Sequence, residues 1–480
     1  MIYDILIVGA GVTGAMAARE LSRYDLSVCL LEAANDVACG ASRANSGIVH
    51  GGFDPEPGTL KARLNVEGVP LLYEAARQLH VPVQNNGSLV CAFSEEELPA
   101  LRALYDRGLR NGVEQLALLT GDEARALEPN LSPAVTGALL SPTAGIICPY
   151  ELTIAAAGCA MDNGVELKRN FRVASVQRSD VFTVTAASGA AVQGRFLLNC
   201  AGGHADEIAR LCGDGFFTIQ SRAGEYLLLD KTEGGRVRHT IFQLPSQAGK
   251  GVLVTPTVDG NLLTGPTASA VASPESRDTT PAGLDQVRRL AAKSVPSVDF
   301  RQVITSFTGV RASEAGGDFI LRASEAVPGL IHAAAIDSPG LTCCVAIARY
   351  LVELLRESGL TLTEKPGWTG LREDPHAFRH MTEAQQDAFI REHPDYGRIV
   401  CRCETVSEGE IRAAIRRNPQ AWDVDGVKRR TRAGMGRCQG GFCGPAVLRL
   451  LSQELGVPME TITKHGPGSG LLAGRIGETQ

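Results

Sequence analysis

The chain has 480 residues, 44% of them hydrophobic and 21% charged, with a formal net charge of −6. That length predicts roughly two to four compact units, and the acidic balance argues against a general nucleic-acid binder. No stretch reaches the roughly 18 unbroken apolar residues that a membrane helix needs.

The N-terminus, "DILIVGAGVTGAMAARELSRYDLSVCLLE", reads as strand, glycine turn, helix and second strand. It has no basic leading segment, so it predicts a buried first strand and not a signal peptide. Gly9, Gly11 and Gly14 form G-x-G-x-x-G. The first lets the chain turn, the second lets backbone approach a pyrophosphate, and the third lets helix pack on strand. The helix start offers free N–H groups to phosphate, and Glu32 closes the second strand where an acid holds ribose hydroxyls. An acid there favours an unphosphorylated ribose.

Three later stretches extend this site. "GASRANSGIVHGGFDPEPGTLKARL" (40–64) gathers Ser42, Arg43, Asn45, Ser46 and His50 in a small, polar loop. "GRFLLNCAGGHADEIARL" (194–211) is a strand ending in a glycine turn at Gly202. "PGLIHAAAIDSPGLTCCVAIARYLVELL" (328–355) is a strand, Asp337, a Ser-Pro-Gly turn and an apolar helix starting near Gly340, Leu341 and Thr342. Such a helix start aims its dipole at an anionic ligand edge.

Together these residues resemble the FAD-dependent oxidoreductases of the D-amino-acid-oxidase type, across roughly residues 1–357. Within that type, "NSGIVHGG", "PGTLKA" and "SRAGEYLLL" are similar to the glycerol-3-phosphate and L-2-hydroxyglutarate dehydrogenases. The resemblance implies FAD, with Ser42 and Ser46 hydrogen-bonding flavin or pyrophosphate. It also implies an α/β fold in which a Rossmann-like FAD domain (1–75, 145–215 and 300–357) is interleaved with an antiparallel-sheet substrate domain (76–144 and 216–299).

Oxidation of a 2-hydroxy compound needs an anchored anion, a base for the hydroxyl proton and dipoles for the reduced flavin. Arg311, in "FTGVRASEAGGDF", is the first candidate anchor, since a guanidinium fork suits carboxylate or phosphate. The matching arginine faces substrate in the family. Arg222, beside Glu225 and Tyr226, either shares that role or makes a sheet-face salt bridge. His50 is the expected catalytic or orienting group, because imidazole titrates near neutral pH. His332 and His204 read as structural.

Residues 358–397 are proline-containing and charged, and read as a linker that packs on its surroundings. Then come Cys401-x-Cys403 and, farther on, Cys438 and Cys443. The other cysteines among the 13 sit in apolar settings such as Cys29, Cys159 and Cys200, which suits reduced thiols in the cytoplasm. Two paired-cysteine loops suit zinc or an iron–sulfur cluster. Arg412, Arg416, Arg417, Lys428, Arg429, Arg430, Arg432 and Arg437 flank them, as charge compensation for an anionic cluster requires. Residues 398–455 resemble the small helical [2Fe–2S] domain of the bacterioferritin-associated-ferredoxin type, which implies Cys401, Cys403, Cys438 and Cys443 as ligands. The tail, 456–480, is glycine-rich.

The combination predicts a cytoplasmic dehydrogenase for a small anionic 2-hydroxy compound, passing electrons from FAD through a [2Fe–2S] cluster to a redox partner subunit. Glycerol-3-phosphate leads as substrate, with L-2-hydroxyglutarate the alternative and an amino- or imino-acid oxidase a further one. Any membrane contact is expected to be peripheral or through partners. The basic face over 412–437 is the expected docking surface for an acidic partner.

Overall fold

Residues 1–244 and 251–474 are described by a computed structural model. The chain opens with β1 (Ile2–Val8), α1 (Val12–Leu21) and β2 (Val28–Leu31), followed by the long helix α2 (Leu60–Gln78). Helix α3 (Pro149–Asp162) precedes strand β3 (Ala191–Asn199). Strands β4 (Gln220–Leu229) and β5 (Val303–Ser313) come next, then β6 (Leu330–Ala334) and helix α4 (Gly340–Glu357). Helix α5 (Val424–Thr431) lies near the C-terminus.

In the first sheet β1 lies between β2 and β3, parallel to both, and β6 runs parallel to the end of β3. Parallel strands are covered on both faces, so they read as continuous apolar runs. Ile5, Leu6, Ile7, Leu30, Leu31, Leu197 and Leu198 are accordingly buried. Helix α1 is built of Gly, Ala and Met where it meets the sheet, and together with α3, α4 and α2 it forms the largest apolar core.

The second sheet is mainly antiparallel, and β4 and β5 pair along it from Gln220↔Ser313 to Leu229↔Val303. The α/β class with an antiparallel second sheet is thus borne out. One boundary moves. Residues 303–313, expected in the FAD domain, hydrogen-bond along β4 in the second sheet, and the chain rejoins the first sheet only at Ile320–Ala323. The physical reason is the long β4, whose edge needs a partner of matching length.

The C-terminal unit packs a two-stranded hairpin and three helices around Ile411, Ile415, Val427, Val447 and Leu451. The connector before it is docked on the first domain over residues 365–372. Lys365 N donates to Arg23 O (2.7 Å), Trp368 Nε1 to Ser22 Oγ (3.0 Å), and Arg372 pairs with Asp162 (2.9 Å). The tail is also placed as far as Gly474: Val424 N donates to Thr463 O and Asp425 N to Lys464 O. Residues 475–480 lie outside the described residues.

The basic residues over 412–437 do not form a free face. Arg429 and Arg430 are buried against Asp36, at 2.6 and 2.8 Å. Arg432 reaches Asp259 (2.6 Å) and Glu404 (2.9 Å), Arg437 reaches Asp230 (3.0 Å), and Arg412 and Arg416 share Glu454. Much of the expected partner-docking surface is therefore an internal seam, built on Arg429, Arg430 and Arg432. Arg429, Arg430, Arg432 and Arg437 meet carboxylates of the preceding domains, whereas Arg412 and Arg416 pair within the C-terminal unit, and removing the buried Asp36 would cost about 3–5 kcal/mol.

Candidate active site and cluster site

A cavity of about 1540 Å³ runs between the two sheets. Its floor is the turn after β1. Gly9 has φ of +103°, and a Cβ on Gly14 would stand 1.9 Å from Gly9 O, so both positions demand glycine. Gly11, Glu32, Ser42, Ser46 and Gly202 line the same floor. The Glu32 carboxylate accepts from Ala10 N and Ala34 N, both at 2.8 Å, and burial pushes its pKa up. Ser42 Oγ accepts from Val12 N (2.8 Å) at the start of α1. Backbone curvature, a buried acid and an open helix start suit a dinucleotide, and the cavity continues far enough beyond them to take a flavin.

The opposite wall begins at α4. Asp337, Gly340 and Leu341 line the cavity. Asp337 is held by Lys61 (2.6 Å) and by Ser313 Oγ (2.9 Å). Thr342, expected beside the cofactor, turns away instead. It is fully buried, and its Oγ1 accepts from His50 N (2.8 Å), which ties α4 to the His50 loop. Lys61 is a cavity residue that sequence reading does not single out, although it lies within "PGTLKA".

His50 is buried on the cavity wall. Its ring lies 4.7 Å from Phe53 and its Nδ1 accepts from Gly52 N (3.2 Å). An acceptor Nδ1 places the neutral ring's proton on Nε2. His332 is fully buried between Asn199 and Asp214, and burial lowers its pKa. His204 bridges Glu207 and Glu275. His332 is thus enclosed in the protein, whereas His204 also lines the cavity.

Arg222 and Arg311 face each other directly across β4 and β5, and both line the cavity. Among the described residues neither pairs with a carboxylate. The salt bridge open to Arg222 from sequence is absent there, because Glu225 is spent elsewhere: its carboxylate accepts from Thr280 N (2.6 Å) and Thr280 Oγ1 (3.0 Å) at a helix start. Tyr226 stacks on Phe307 (4.8 Å between centroids) four residues along the same two strands, and both line the cavity.

In the C-terminal unit Cys401, Cys403, Cys438 and Cys443 are all free thiols. Cys403 Sγ lies 3.9 Å from Cys401 Sγ and 3.8 Å from Cys438 Sγ. A hydrogen bond from Cys443 together with backbone N–H groups brings the Cys401 thiol down to about 5. Cys438 is lowered too, chiefly by the Phe442 amide. Sulfurs drawn together and supplied with amide donors suit thiolate ligation of an iron–sulfur cluster. Cys401 and Cys443 are buried while Cys403 is exposed, so the cluster would have one edge at the surface.

Comparison with known proteins accounts for both sites. Residues 4–354 match the family described as FAD dependent oxidoreductase, and residues 399–453 match the BFD-like [2Fe-2S] binding domain. Glycerol 3-phosphate dehydrogenase of Caloramator mitchellensis is 42% identical over 472 residues, covering 98% of each chain. L-2-hydroxyglutarate dehydrogenase of Pongo abelii is 32% identical over 55% of this chain and 67% of its own. The structure of dithionite-reduced L-alpha-glycerophosphate oxidase from Mycoplasma pneumoniae, with FAD bound, superposes with TM-score 0.73 at 33% identity, over 78% of this chain and 98% of that one. The glycine turn, the flavin-sized cavity and the four converging thiols thus belong together: the chain is a member of the FAD-dependent oxidoreductase family that carries a BFD-like [2Fe–2S] domain.

Proposed function

We propose that this enzyme oxidises the C2 hydroxyl of glycerol-3-phosphate to give dihydroxyacetone phosphate. The observation that carries this reading is the Arg222↔Arg311 pair. Like charges directly opposite on neighbouring strands destabilise a sheet. Here no acid among the described residues relieves them, and both side chains face the cavity. One phosphate dianion between two guanidinium forks relieves that repulsion. A dicarboxylate such as L-2-hydroxyglutarate carries its charges at separate ends and would satisfy both forks less completely. The full-length relative named for glycerol 3-phosphate supports the same choice.

FAD, when bound, supplies the acceptor for the hydride leaving C2. The chain's own residues do the rest. Arg222 and Arg311 hold the phosphate, and Tyr226 and Phe307 wall off water. His50, on the cavity wall, is assigned to the substrate hydroxyl, where it either takes the proton or orients the oxygen through Nε2–H. The start of α4 turns the positive end of its dipole to the facing wall, where Lys61 is paired with Asp337.

Anaerobic mixing of flavin- and cluster-loaded protein with substrate tests the reading. Glycerol-3-phosphate is expected to bleach the flavin absorbance quickly and L-2-hydroxyglutarate slowly or not at all. The reverse order would overturn the assignment.

A redox subunit is the expected electron acceptor. With the seam charges used internally, its contact surface is the cluster edge. There Phe442 is 88% exposed beside Cys443, and Arg402 is exposed beside Cys401 and Cys403. An exposed aromatic beside a cation suits a partner with an acidic rim. Electron transfer to that partner should slow steeply as salt rises from about 0.05 to 0.2 M, while reduction of the flavin by substrate changes little. Equal salt dependence of both steps would remove this surface from consideration.

A further inference from the structure

We propose that the cluster-bearing C-terminal domain is part of the FAD site and sets its affinity, acting through Asp36. The loop over residues 32–38 starts at Glu32 and is fastened at both ends to the glycine turn: Ala10 N donates to Glu32 Oε2 (2.8 Å), and Ala38 N donates to Ala10 O (3.1 Å). Its middle is held from the other side. Asp36, 1% exposed, accepts from Arg429 (2.6 Å) and takes both terminal nitrogens of Arg430 (2.8 Å each). Asn35 Nδ2 donates to Asp423 Oδ2 (2.5 Å), and Asn35 also packs against Gly466.

The same domain supplies part of the cavity wall. Asp425 and His465 line the cavity that Glu32, Ala33, Ala34 and Asn35 line from the first sheet. Asp36 itself does not line it. The C-terminal domain therefore both shapes the rim of the nucleotide site and positions the loop bearing the ribose-binding acid. A fold covering 78% of this chain holds FAD in the Mycoplasma pneumoniae oxidase. The contribution here is accordingly to affinity and not to the existence of the site. Linkage makes the effect reciprocal: whatever the docked domain adds to FAD binding, FAD adds to docking.

The test is FAD affinity, which does not depend on the identity of the substrate. Deflavinated, cluster-loaded Asp36→Asn is titrated with FAD by fluorescence quenching, and cluster absorbance is recorded on the same sample. With cluster absorbance retained, a dissociation constant raised at least tenfold over the unsubstituted protein is expected, and a smaller change would overturn the proposal. Should the substitution cost the cluster, the unsubstituted protein decides. Adding FAD to its deflavinated form is expected to slow amide hydrogen exchange across 424–431 and 463–466, and unchanged exchange there would overturn it.

Discussion

Replacing His50 with alanine is expected to lower turnover of glycerol-3-phosphate by about 10²–10⁴-fold, the range over which a positioned proton-transfer group contributes. Flavin content should be unchanged, because the imidazole is not among the groups that fix the glycine turn or Glu32. A second variant separates the two roles open to this ring. The Gly52 amide at 3.2 Å occupies Nδ1 and so favours a proton on Nε2. To act as a base His50 would have to give up that contact, whereas to orient the substrate oxygen it need only donate. Glutamine supplies a donor but no base at neutral pH. His50→Gln should recover a measurable part of the lost rate if donation is the role, and should match alanine if proton abstraction is. Steady-state rates across pH, with flavin occupancy measured from the spectrum, decide between them. An alanine variant with normal turnover would remove His50 from the chemistry.

The second large effect concerns the paired arginines. Hydrogen bonds to charged groups contribute about 1.5–3 kcal/mol each, so losing the two bonds of one guanidinium fork from a phosphate costs roughly 3–6 kcal/mol. Arg311→Met should therefore lower kcat/KM by about 10²–10⁴-fold. It should do so without lowering the melting temperature, because the substitution removes a like-charge neighbour of Arg222 from the sheet. Lost activity with kept or improved stability is the signature of a pair retained for its ligand. A variant that keeps its kcat/KM would show that the phosphate is held elsewhere, and one that loses both activity and stability would show a structural arginine.

The parts of this protein that could be read from sequence are those whose chemistry is local. Gly9, Gly11, Gly14 and Glu32 fall within one strand–helix–strand unit, so their roles follow from spacing alone. The thiol pairs are likewise short-range. What could not be read depends on register and on distant pairing. Arg222 and Arg311 meet only because β4 and β5 pair in one particular register, and a one-residue slip would send one of them to the other face. Asp36 meets Arg430 across 394 positions of sequence, so the basic residues near the cysteines looked unpartnered. Thr342 sits at the helix start that spacing identifies, yet its hydroxyl is taken by the backbone of His50. A helix start shows where a ligand edge belongs without showing which side chains turn toward it.

The docked connector carries a consequence for how the two redox centres communicate. Many multidomain carriers rely on a flexible tether, and their internal transfer slows when the solvent thickens. Here the segment joining the two units is a strut, bonded to Ser22, Arg23 and Asp162 before it enters a domain whose arginines are locked onto Asp36, Asp230 and Asp259. The docked geometry needs no swing of one unit toward the other, so transfer between flavin and cluster is expected to keep its rate as solvent viscosity is raised, and a rate that falls with viscosity would show that the units separate during turnover.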